Sequence, residues 1–228
     1  MQIKVLSWNI WCDGDFPKIS EFLRSSDADI IGLQEVIRDD KERDIVNLLS
    51  NLGYEHAVAQ SGVELPDGRV ITNAVFSKYP IQKSKMHMLS EKSSRQAVET
   101  EIKVGDVTLN AFSLHTKHTH QKESDIQNLQ VENFIKVLPK EKVVVMGDFN
   151  ATPDMTSVKR MREILIDTDP SSSPTWSVYS EGCNTCKPQA IDTRLDYIFT
   201  SKDLKTHSFK VGDSKASDHL PISVIVEV

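Results

Sequence analysis

The stretch Lys142-Val-Val-Val-Met-Gly-Asp148-Phe-Asn150-Ala-Thr-Pro153 joins a short apolar run to a polar end. The β-branched residues 143–145 are typical of a buried strand. Gly147 indicates a sharp backbone turn after that strand, because glycine has no Cβ to restrict it. If the chain stays extended, Asp148 and Asn150 point to the same face, since side chains alternate along a strand. The stretch predicts either a carboxylate and an amide at the carboxyl edge of a sheet, where ligand crevices of α/β folds open, or a solvated turn.

Polar residues also stand at or near the ends of other predicted strands. A carboxylate at the end of an apolar strand is unfavourable unless it is paired or binds a metal, and a buried aspartate needs a partner. Two local alternatives stay open at this point: Glu35 as the exposed first residue of a loop, and Asp196 in a salt bridge with Arg194 or a lysine. If the strand ends converge, the candidate site contains Asn9, Glu35, His115, Asp148, Asn150, Asp196, Asp218 and His219.

The order of the predicted elements favours two sheets packed face to face with helices outside. Strands and helices alternate in the first third, whereas the middle is rich in strands and has a hairpin signal at Gly105-Asp106. This order disfavours a doubly wound, all-parallel sheet. The length of 228 residues predicts one domain spanning residues 1–228. Apolar periodicity predicts helices over residues 16–24, 44–52, 123–138 and 157–165.

Composition narrows the class of protein. The chain has 33 acidic and 27 basic residues, a net charge of −6. There is therefore no global attraction to nucleic acid or an anionic membrane, although a local basic rim can act alone. No stretch approaches the roughly 18–20 apolar residues of a spanning helix, and the start lacks a basic region followed by an apolar run. Three cysteines indicate a reducing compartment. We therefore expect a cytoplasmic protein without a membrane span, and no protein partner is indicated.

Two short motifs lie outside the candidate site. Cys183 and Cys186 form a CxxC pair that lacks a second pair of zinc ligands at normal spacing. We therefore expect two reduced thiols or an adventitious disulfide, rather than a metal or redox site. His118 and His120 are expected to be solvated loop residues, and His115, which is closest to the strand, is the better candidate for a phosphate or metal contact.

The donor types in the candidate site constrain its chemistry. Carboxylate and amide oxygens are hard ligands that suit Mg²⁺ or Mn²⁺ better than zinc. Mg²⁺ usually takes one or two carboxylates together with substrate phosphate. A protonated histidine stabilises charge on the same phosphate, and an aspartate near a water molecule takes its proton. These residues therefore predict hydrolysis of a phosphate ester.

Six short motifs, in order, resemble the endonuclease/exonuclease/phosphatase superfamily, whose fold is that of deoxyribonuclease I. Together they run from residue 7 to residue 221. The resemblance implies a four-layer α/β sandwich, in which two mostly antiparallel sheets pack face to face and helices cover both outer faces. The motifs are Ser7-Trp-Asn9, Leu33-Gln-Glu35-Val, Ser113-Leu-His115, Gly147-Asp148-Phe-Asn150, Arg194-Leu-Asp196-Tyr-Ile-Phe and Ser217-Asp218-His219-Leu-Pro221.

The resemblance also implies a role for each matching residue. Glu35 is similar to the main Mg²⁺ ligand, with Asn9 and Asp218 beside it, and Mn²⁺ is the expected substitute ion. The remaining residues of the candidate site resemble the family's catalytic groups. Asp148 resembles the group that activates or orients the attacking water, Asn150 the group that holds water or phosphate, His219 and His115 the phosphate-contacting histidines, and Asp196 the partner that orients His219.

We therefore expect a magnesium-dependent phosphodiesterase, foremost a nuclease acting on nucleic acid. The alternatives are a hydrolase of small phosphoesters (inositol phosphate, sphingomyelin or nucleotide) and a repair hydrolase that resembles tyrosyl-DNA phosphodiesterase. A non-catalytic binding protein is disfavoured, since none of the motif residues is missing. Candidate contacts to nucleic acid are the cations Lys117, Lys122, Lys159 and Arg160, and the aromatic residues Trp11 and Trp176, which are otherwise solvated cations and core residues.

Overall fold

The computed structural model describes residues 1–177, 179 and 183–228. None of its helices is long and apolar enough to cross a membrane, as far as the described residues go. The helices are α1 (Phe16–Ser25), α2 (Ile45–Ser50), α3 (Asp125–Ile135) and α4 (Thr156–Ile164). The strands are β1 (Gln2–Asn9), β2 (Ile30–Ile37), β3 (Glu55–Val58), β4 (Val63–Glu64), β5 (Val70–Ser77), β6 (Ile81–Ser90), β7 (Ser93–Val104), β8 (Val107–His115), β9 (Val143–Asp148), β10 (Ile166–Asp167), β11 (Asp196–Thr200), β12 (Lys205–Val211) and β13 (Ile222–Glu227).

The strands form two mixed sheets. The first has the order β12-β13-β1-β2-β5-β3, with β4 also paired to β5, and the second has the order β10-β11-β9-β8-β7-β6. Each sheet contains one parallel pair near its centre, β1 with β2 and β8 with β9, and its other pairs are antiparallel. The carboxyl ends of these two parallel pairs carry Asn9, His115 and Asp148, and Glu35 lies two residues before the end of β2.

Three hydrophobic clusters separate the four layers of the sandwich. The cluster between the sheets includes Ile3 of β1 and Val144 of β9. A second cluster packs the outer face of the first sheet, including Trp8, against α1 and α2. A third packs the outer face of the second sheet, including Val143 and Val145, against α3 and α4. The run 143–145 is wholly apolar because its side chains alternate between two buried layers. The predicted α/β sandwich is confirmed.

The layer between the sheets becomes polar towards one edge. Side chains of β8 that face this layer change from Leu109 to Ser113 and then to His115. Gln34 Nε2 donates to Ser113 Oγ at 3.1 Å, and Ser113 Oγ donates to the Leu33 carbonyl at 3.0 Å, so the buried polar atoms bridge the two sheets. Alternation along the strands thus delivers polar side chains into a common space at the sheet edge.

The sequence pattern did not predict four strands: β3, β4, β10 and β12. Three of them have four residues or fewer, and β12 has no buried residue. Such strands lack the apolar alternation that the prediction depends on. Two helices are shorter than predicted. Asp44 is the N-cap of α2, because its side chain accepts from the Asn47 N–H, and α3 begins after Ser124 and ends at Ile135.

Gly147 has a different role from the predicted one. It does not turn the chain, but lies inside β9, paired with Tyr197 on one side and Leu114 on the other. A Cβ at this position would lie 2.6 Å from the carbonyl oxygen of Leu114. Glycine is therefore needed because the backbones of β8 and β9 approach closely here.

We expect Gly147→Ala to lower the free energy of unfolding by about 1–3 kcal/mol, the usual cost of inserting an atom into a packed interior. The nearest neighbour is a backbone oxygen of β8, so β8 and β9 must separate locally and the position of Asp148 must shift. Urea unfolding measures the first effect, and turnover measures the second. Ser84→Ala, on an exposed position of β6, is the control and should change stability by less than about 0.5 kcal/mol. Unchanged stability of Gly147→Ala would contradict the close-approach explanation.

Candidate active site

The structure brings the predicted site residues together at one edge of the sandwich. The segment containing Asp218 and His219 is anchored to β1, because Trp8 Nε1 donates to the His219 carbonyl at 2.9 Å and Ser217 Oγ donates to the Asn9 carbonyl at 2.6 Å. All but one of the site side chains are nearly fully buried, and Glu35 is half-buried. The converging residues are Asn9, Glu35, His115, Asp148, Asn150, Asp196, Asp218 and His219.

Glu35 lies in a β-bulge rather than at a strand end. The pairing of β2 with β5 shifts between Leu33 and Val36, and Glu35 has a φ of 59°. The left-handed backbone re-aims its side chain, whose Oε1 accepts from Asn9 Nδ2 at 3.2 Å and whose Oε2 accepts from the Cys12 N–H at 3.0 Å. The alternative of Glu35 as an exposed loop residue is wrong. Cys12 itself stays a thiol, because burial and the neighbouring Glu35 raise its pKa.

Asp148 is the centre of the buried polar network. Its Oδ1 accepts from the Asn150 N–H at 2.8 Å, and its Oδ2 accepts from Asn9 Nδ2 at 3.0 Å. The same Oδ2 lies 3.2 Å from His115 Nε2 and 3.6 Å from His219 Nε2. Burial acts to raise the pKa of Asp148, but the charges of His219 and His115 and these hydrogen bonds outweigh it and lower the pKa. Asp148 is therefore held as a carboxylate.

Asn150 does not continue an extended strand beyond Asp148. Its φ of 46° is left-handed, which turns the amide back so that its Nδ2 donates to Asp148 Oδ2 at 3.2 Å and to the Thr116 carbonyl at 3.3 Å. The two side chains meet, as predicted, but through a tight turn instead of strand alternation. Asn tolerates this backbone region better than most residues.

His219 is paired with Asp196 on the side away from Asp148. Its Nδ1 lies 2.8 Å from Asp196 Oδ2, which also accepts from Thr175 Oγ1 at 2.6 Å. Burial favours neutral imidazole, but the charges of Asp196, Asp148 and Asp218 raise the pKa of His219 well above its usual value. The predicted alternative, a salt bridge from Arg194 to Asp196, is wrong. Arg194 is buried against another carboxylate, with Nη2 2.7 Å from Asp167 Oδ1.

Three acidic side chains crowd the entrance to this network. Burial, followed by the charge of Glu35 and then that of Asp148, raises the pKa of Asp218 to about 7. A divalent cation between Glu35 and Asp218 would relieve this repulsion, and their hard oxygen donors suit Mg²⁺ or Mn²⁺. Asn9 fits less directly: its Nδ2 faces the carboxylates, while its Oδ1 accepts from the Trp11 N–H at 3.0 Å. This residue could ligate a metal only after its amide rotates.

A second group of three also has metal-like spacing. Ligand atoms of Asp148, Asp196 and His219 lie within 4.8 Å of one another, so these residues could hold a metal ion. However, Asp196 Oδ2 and both His219 ring nitrogens already face each other or Asp148. The 2.8 Å hydrogen bond between His219 Nδ1 and Asp196 Oδ2 already uses one ligand atom of each residue, which favours a catalytic network over a metal site here.

The network opens into a cavity of about 350 Å³. The cavity is lined by Glu35, Asp148, Asn150, Asp218 and His219, together with Trp11, Arg95, His118, His120 and Cys183. Sequence reasoning missed Arg95, since no motif or spacing marks it. Its charge acts on both Glu35 and Asp148, and among the described residues no hydrogen-bond or salt-bridge partner takes up its guanidinium. Arg95 is therefore a cation available to an anionic ligand.

His118 is not the solvated loop residue that was predicted. It is half-buried, and its Nδ1 lies 2.6 Å from Asn150 Oδ1. Burial lowers the pKa of His118, although Asn150 and Asp148 oppose that effect. Its neighbour His120 is exposed, as predicted, but its Nδ1 lies 3.0 Å from His118 Nε2.

The sequence profile of the endonuclease/exonuclease/phosphatase family matches residues 6–219. Among solved structures, an endonuclease/exonuclease/phosphatase from Beutenbergia cavernae has a TM-score of 0.81 at 21% identity, with 100% of this chain and 72% of that one covered. ANGEL2, a 2′,3′-cyclic phosphatase in complex with adenosine-2′,3′-vanadate, has a TM-score of 0.76 at 17% identity, with 99% and 95% covered.

A mannosyl-6-phosphatase from Bacteroides thetaiotaomicron, Bt3783, has a TM-score of 0.71 at 18% identity, with 99% of this chain and 100% of that one covered. At such identities these three structures show a shared fold alone. No curated protein matches the sequence.

Proposed function

Because this chain belongs to the endonuclease/exonuclease/phosphatase family, whose members are hydrolases of phosphoester bonds, we propose that it is a magnesium-dependent phosphodiesterase acting on nucleic acid. The observation that carries the proposal is the buried row Asp196–His219–Asp148–His115, with contacts of 2.8, 3.6 and 3.2 Å. Two carboxylates alternate with two imidazoles in this row. Such a row keeps an ionised carboxylate, which can act as a base, next to a protonated imidazole, which can stabilise negative charge.

The acid–base roles follow from the charges in this row. Asp148 is kept ionised and is the group that takes the proton of the attacking water, with Asn150 orienting that water. His219, kept protonated by its aspartates, donates from Nε2 to the phosphoryl oxygen as negative charge develops there. Asp196 binds the other ring nitrogen, fixing the orientation of the imidazolium. His115 presents a second ring to the same side of Asp148.

Glu35 and Asp218 would hold the metal ion, and Asn9 would join them after rotation of its amide. Mg²⁺, with Mn²⁺ as its substitute, supplies polarisation of the phosphoryl oxygen and offsets charge on it. Without the cation the same two carboxylates repel each other, as the raised pKa of Asp218 indicates.

Two features support nucleic acid as the substrate: an aromatic surface in the cavity and exposed lysines close to it in the sequence. Trp11 is half-buried, lines the cavity and lies against Tyr179 with ring centroids 5.4 Å apart, which makes it a surface for base stacking. Lys117 and Lys122 are exposed near His118 and are free to contact phosphates. The other proposed aromatic contact, Trp176, is only 4% exposed and packs in a small core.

A small phosphoester is the second candidate, and the charge distribution favours it. The net charge is −6, and Arg160, one of the proposed phosphate contacts, is already paired with Glu132 at 2.6 Å and with Glu163. A cavity of about 350 Å³ is at the small end of the usual range for ligand pockets. Arg95 would then bind a second anionic group of the same molecule.

We expect Arg95→Met to raise KM for the substrate by roughly 10-fold or more while kcat changes little, since a charge-assisted hydrogen bond contributes about 1.5–3 kcal/mol. The reason is that Arg95 lines the cavity, while within the part of the chain that the structure describes it makes no hydrogen bond or salt bridge to the row Asp196–His219–Asp148–His115. Steady-state kinetics separates the two parameters. Arg24→Met, which removes an exposed arginine of α1, is the matched control. A fall in kcat alone would contradict a binding role.

The proposed function is tested by hydrolysis with and without Mg²⁺, using His219→Ala as the blank. The panel contains single-stranded DNA, RNA, abasic-site duplex, a 5′-tyrosyl oligonucleotide, bis-p-nitrophenyl phosphate and inositol phosphates. The proposal is supported if the wild type cleaves a nucleic acid in the presence of Mg²⁺ and His219→Ala does not. Cleavage of the small esters alone supports the second candidate, a small phosphoester, as the substrate. If no substrate is cleaved, the phosphodiesterase proposal fails.

A further inference from the structure

Four side chains with metal-binding atoms converge beside the candidate active site, on residues that the catalytic row does not use. His118 and His120 follow β8, and Cys183 and Cys186 come from the loop-rich segment before β11. One ligand atom from each lies within 4.8 Å of all the others. The CxxC motif therefore has the second pair of ligands that its sequence spacing lacks.

The separations between the donor atoms match those around a tetrahedral zinc ion. Cys183 Sγ lies 3.6 Å from His118 Nε2 and 3.5 Å from His120 Nδ1. Cys186 Sγ lies 3.8 and 3.5 Å from the same two nitrogens, which are 3.0 Å apart. Zn–N of about 2.05 Å and Zn–S of about 2.3 Å at tetrahedral angles give N···S of about 3.6 Å and N···N of about 3.3 Å.

We propose that His118, His120, Cys183 and Cys186 bind one zinc ion in a structural site. Four protein ligands complete the coordination sphere and leave no open position for substrate or water, which is the arrangement of structural zinc sites. Two thiolates and two imidazoles select zinc over the Mg²⁺ that suits the oxygen donors of the active site. The protein then has two metal sites of different chemistry side by side.

Contacts around the cluster favour its metal-binding form. Asn150 Oδ1 accepts from His118 Nδ1 at 2.6 Å, which fixes the tautomer so that the lone pair of Nε2 faces the sulfurs. The Cys186 backbone N–H donates to Cys183 Sγ at 3.1 Å, an interaction that stabilises a thiolate. Cys183 is buried against Trp176 and Leu195, so solvent has little access to that side of the cluster.

The position of the cluster indicates what the zinc ion does. It joins the loop after β8 to residues 183–195, which form turns and bends and one isolated bridge. His118 also contacts Asn150, which contacts Asp148. A zinc ion bound here therefore fixes one wall of the active-site cavity, which His118, His120 and Cys183 line. Through His118 it also holds the Oδ1 atom of Asn150. His118 is a positioning residue in this arrangement, because it acts on Asp148 only through Asn150.

The proposal is tested by the metal content of the whole protein, purified under reducing conditions without added zinc. Inductively coupled plasma mass spectrometry should find about one zinc ion per chain, as one set of four ligands requires. The Cys183→Ser/Cys186→Ser and His120→Ala variants should lose most of it. Cys12→Ser, which removes the cysteine outside the cluster, and Glu35→Gln, which alters the proposed Mg²⁺ site, should both retain it.

Two further measurements keep the test independent of the folding of the variants. Replacing zinc by Co²⁺ in the wild-type protein should give thiolate-to-cobalt charge-transfer absorption and the intense d–d bands of tetrahedral coordination. Titrating the wild-type thiols with a mercurial should release zinc to a chromogenic chelator in step with the loss of two thiols. Zinc-free reduced protein, zinc retained in the double cysteine variant, or Co²⁺ spectra without thiolate bands would each overturn the proposal.

Discussion

Glu35→Gln is expected to lower kcat/KM by roughly 10³-fold, because losing a metal ligand removes several kcal/mol of charge stabilisation at the phosphoryl group. The substitution keeps the shape of the side chain and its oxygen can still accept from the Cys12 N–H. What it removes is the negative charge that faces Asp218. Mg²⁺ affinity, measured by isothermal titration calorimetry, should fall by at least about 10-fold.

Urea unfolding separates this loss from an effect on stability. Burial acts to raise the pKa of Glu35, but the charges of His115 and Arg95 and the hydrogen bonds from Cys12 and Asn9 outweigh it and lower the pKa, so the fold favours the ionised form. Glutamine has one oxygen where the wild type has two acceptors for the Cys12 N–H and the Asn9 amide. We therefore expect metal-free Glu35→Gln to lose about 1–3 kcal/mol of stability, the cost of a buried donor left without a partner, and to stay folded at the assay temperature. Glu64→Gln, on an exposed position of β4, is the matched control and should leave turnover and Mg²⁺ binding unchanged. Normal Mg²⁺ affinity in Glu35→Gln would remove this residue from the metal site.

The fold was predictable because its deciding patterns are local. Residues 143–145 are apolar on both faces, and the structure buries them between two hydrophobic layers. The same holds for β1, where Ile3 and Trp8 face different layers. The edge strand β12 has no comparable pattern, because all of its side chains are exposed or half-buried and its pairing with β13 depends on backbone hydrogen bonds. Backbone pairing leaves little trace in a sequence.

The convergence of the site was also predictable, but its detailed geometry was not. Polar residues that follow apolar strands must leave the core at a sheet edge, which brings His115 and Asp148 together in register. The bulge at Glu35 and the left-handed turn at Asn150 depend on tertiary contacts. Arg95 carries no local signal. The proximity of the CxxC motif to His118 and His120 is set by the folding of two loops that are distant in the sequence.

Asp148→Asn is expected to lower kcat by about 10²–10⁴-fold, the contribution of a positioned general base, with a much smaller change in KM. The asparagine has one oxygen where the wild type has two acceptor atoms, so it cannot satisfy the Asn150 N–H and the Asn9 amide together. The carboxylate charge that helps to keep His219 protonated is lost at the same time. Single-turnover kinetics on the best substrate of the panel measures the chemical step directly.

Asp203→Asn is the matched control, because Asp203 pairs with Lys142 just before the opposite end of β9. It makes the same chemical change near the opposite end of β9, in the turn between β11 and β12, and should leave kcat within about twofold, since surface ion pairs contribute little. Both variants should be compared by urea unfolding, because a buried donor left without a partner costs about 1–3 kcal/mol. If Asp148→Asn raises KM and leaves the single-turnover rate unchanged, Asp148 binds the substrate instead of activating water. In that case His115, whose Nε2 lies 3.2 Å from the same carboxylate, becomes the remaining candidate for the base.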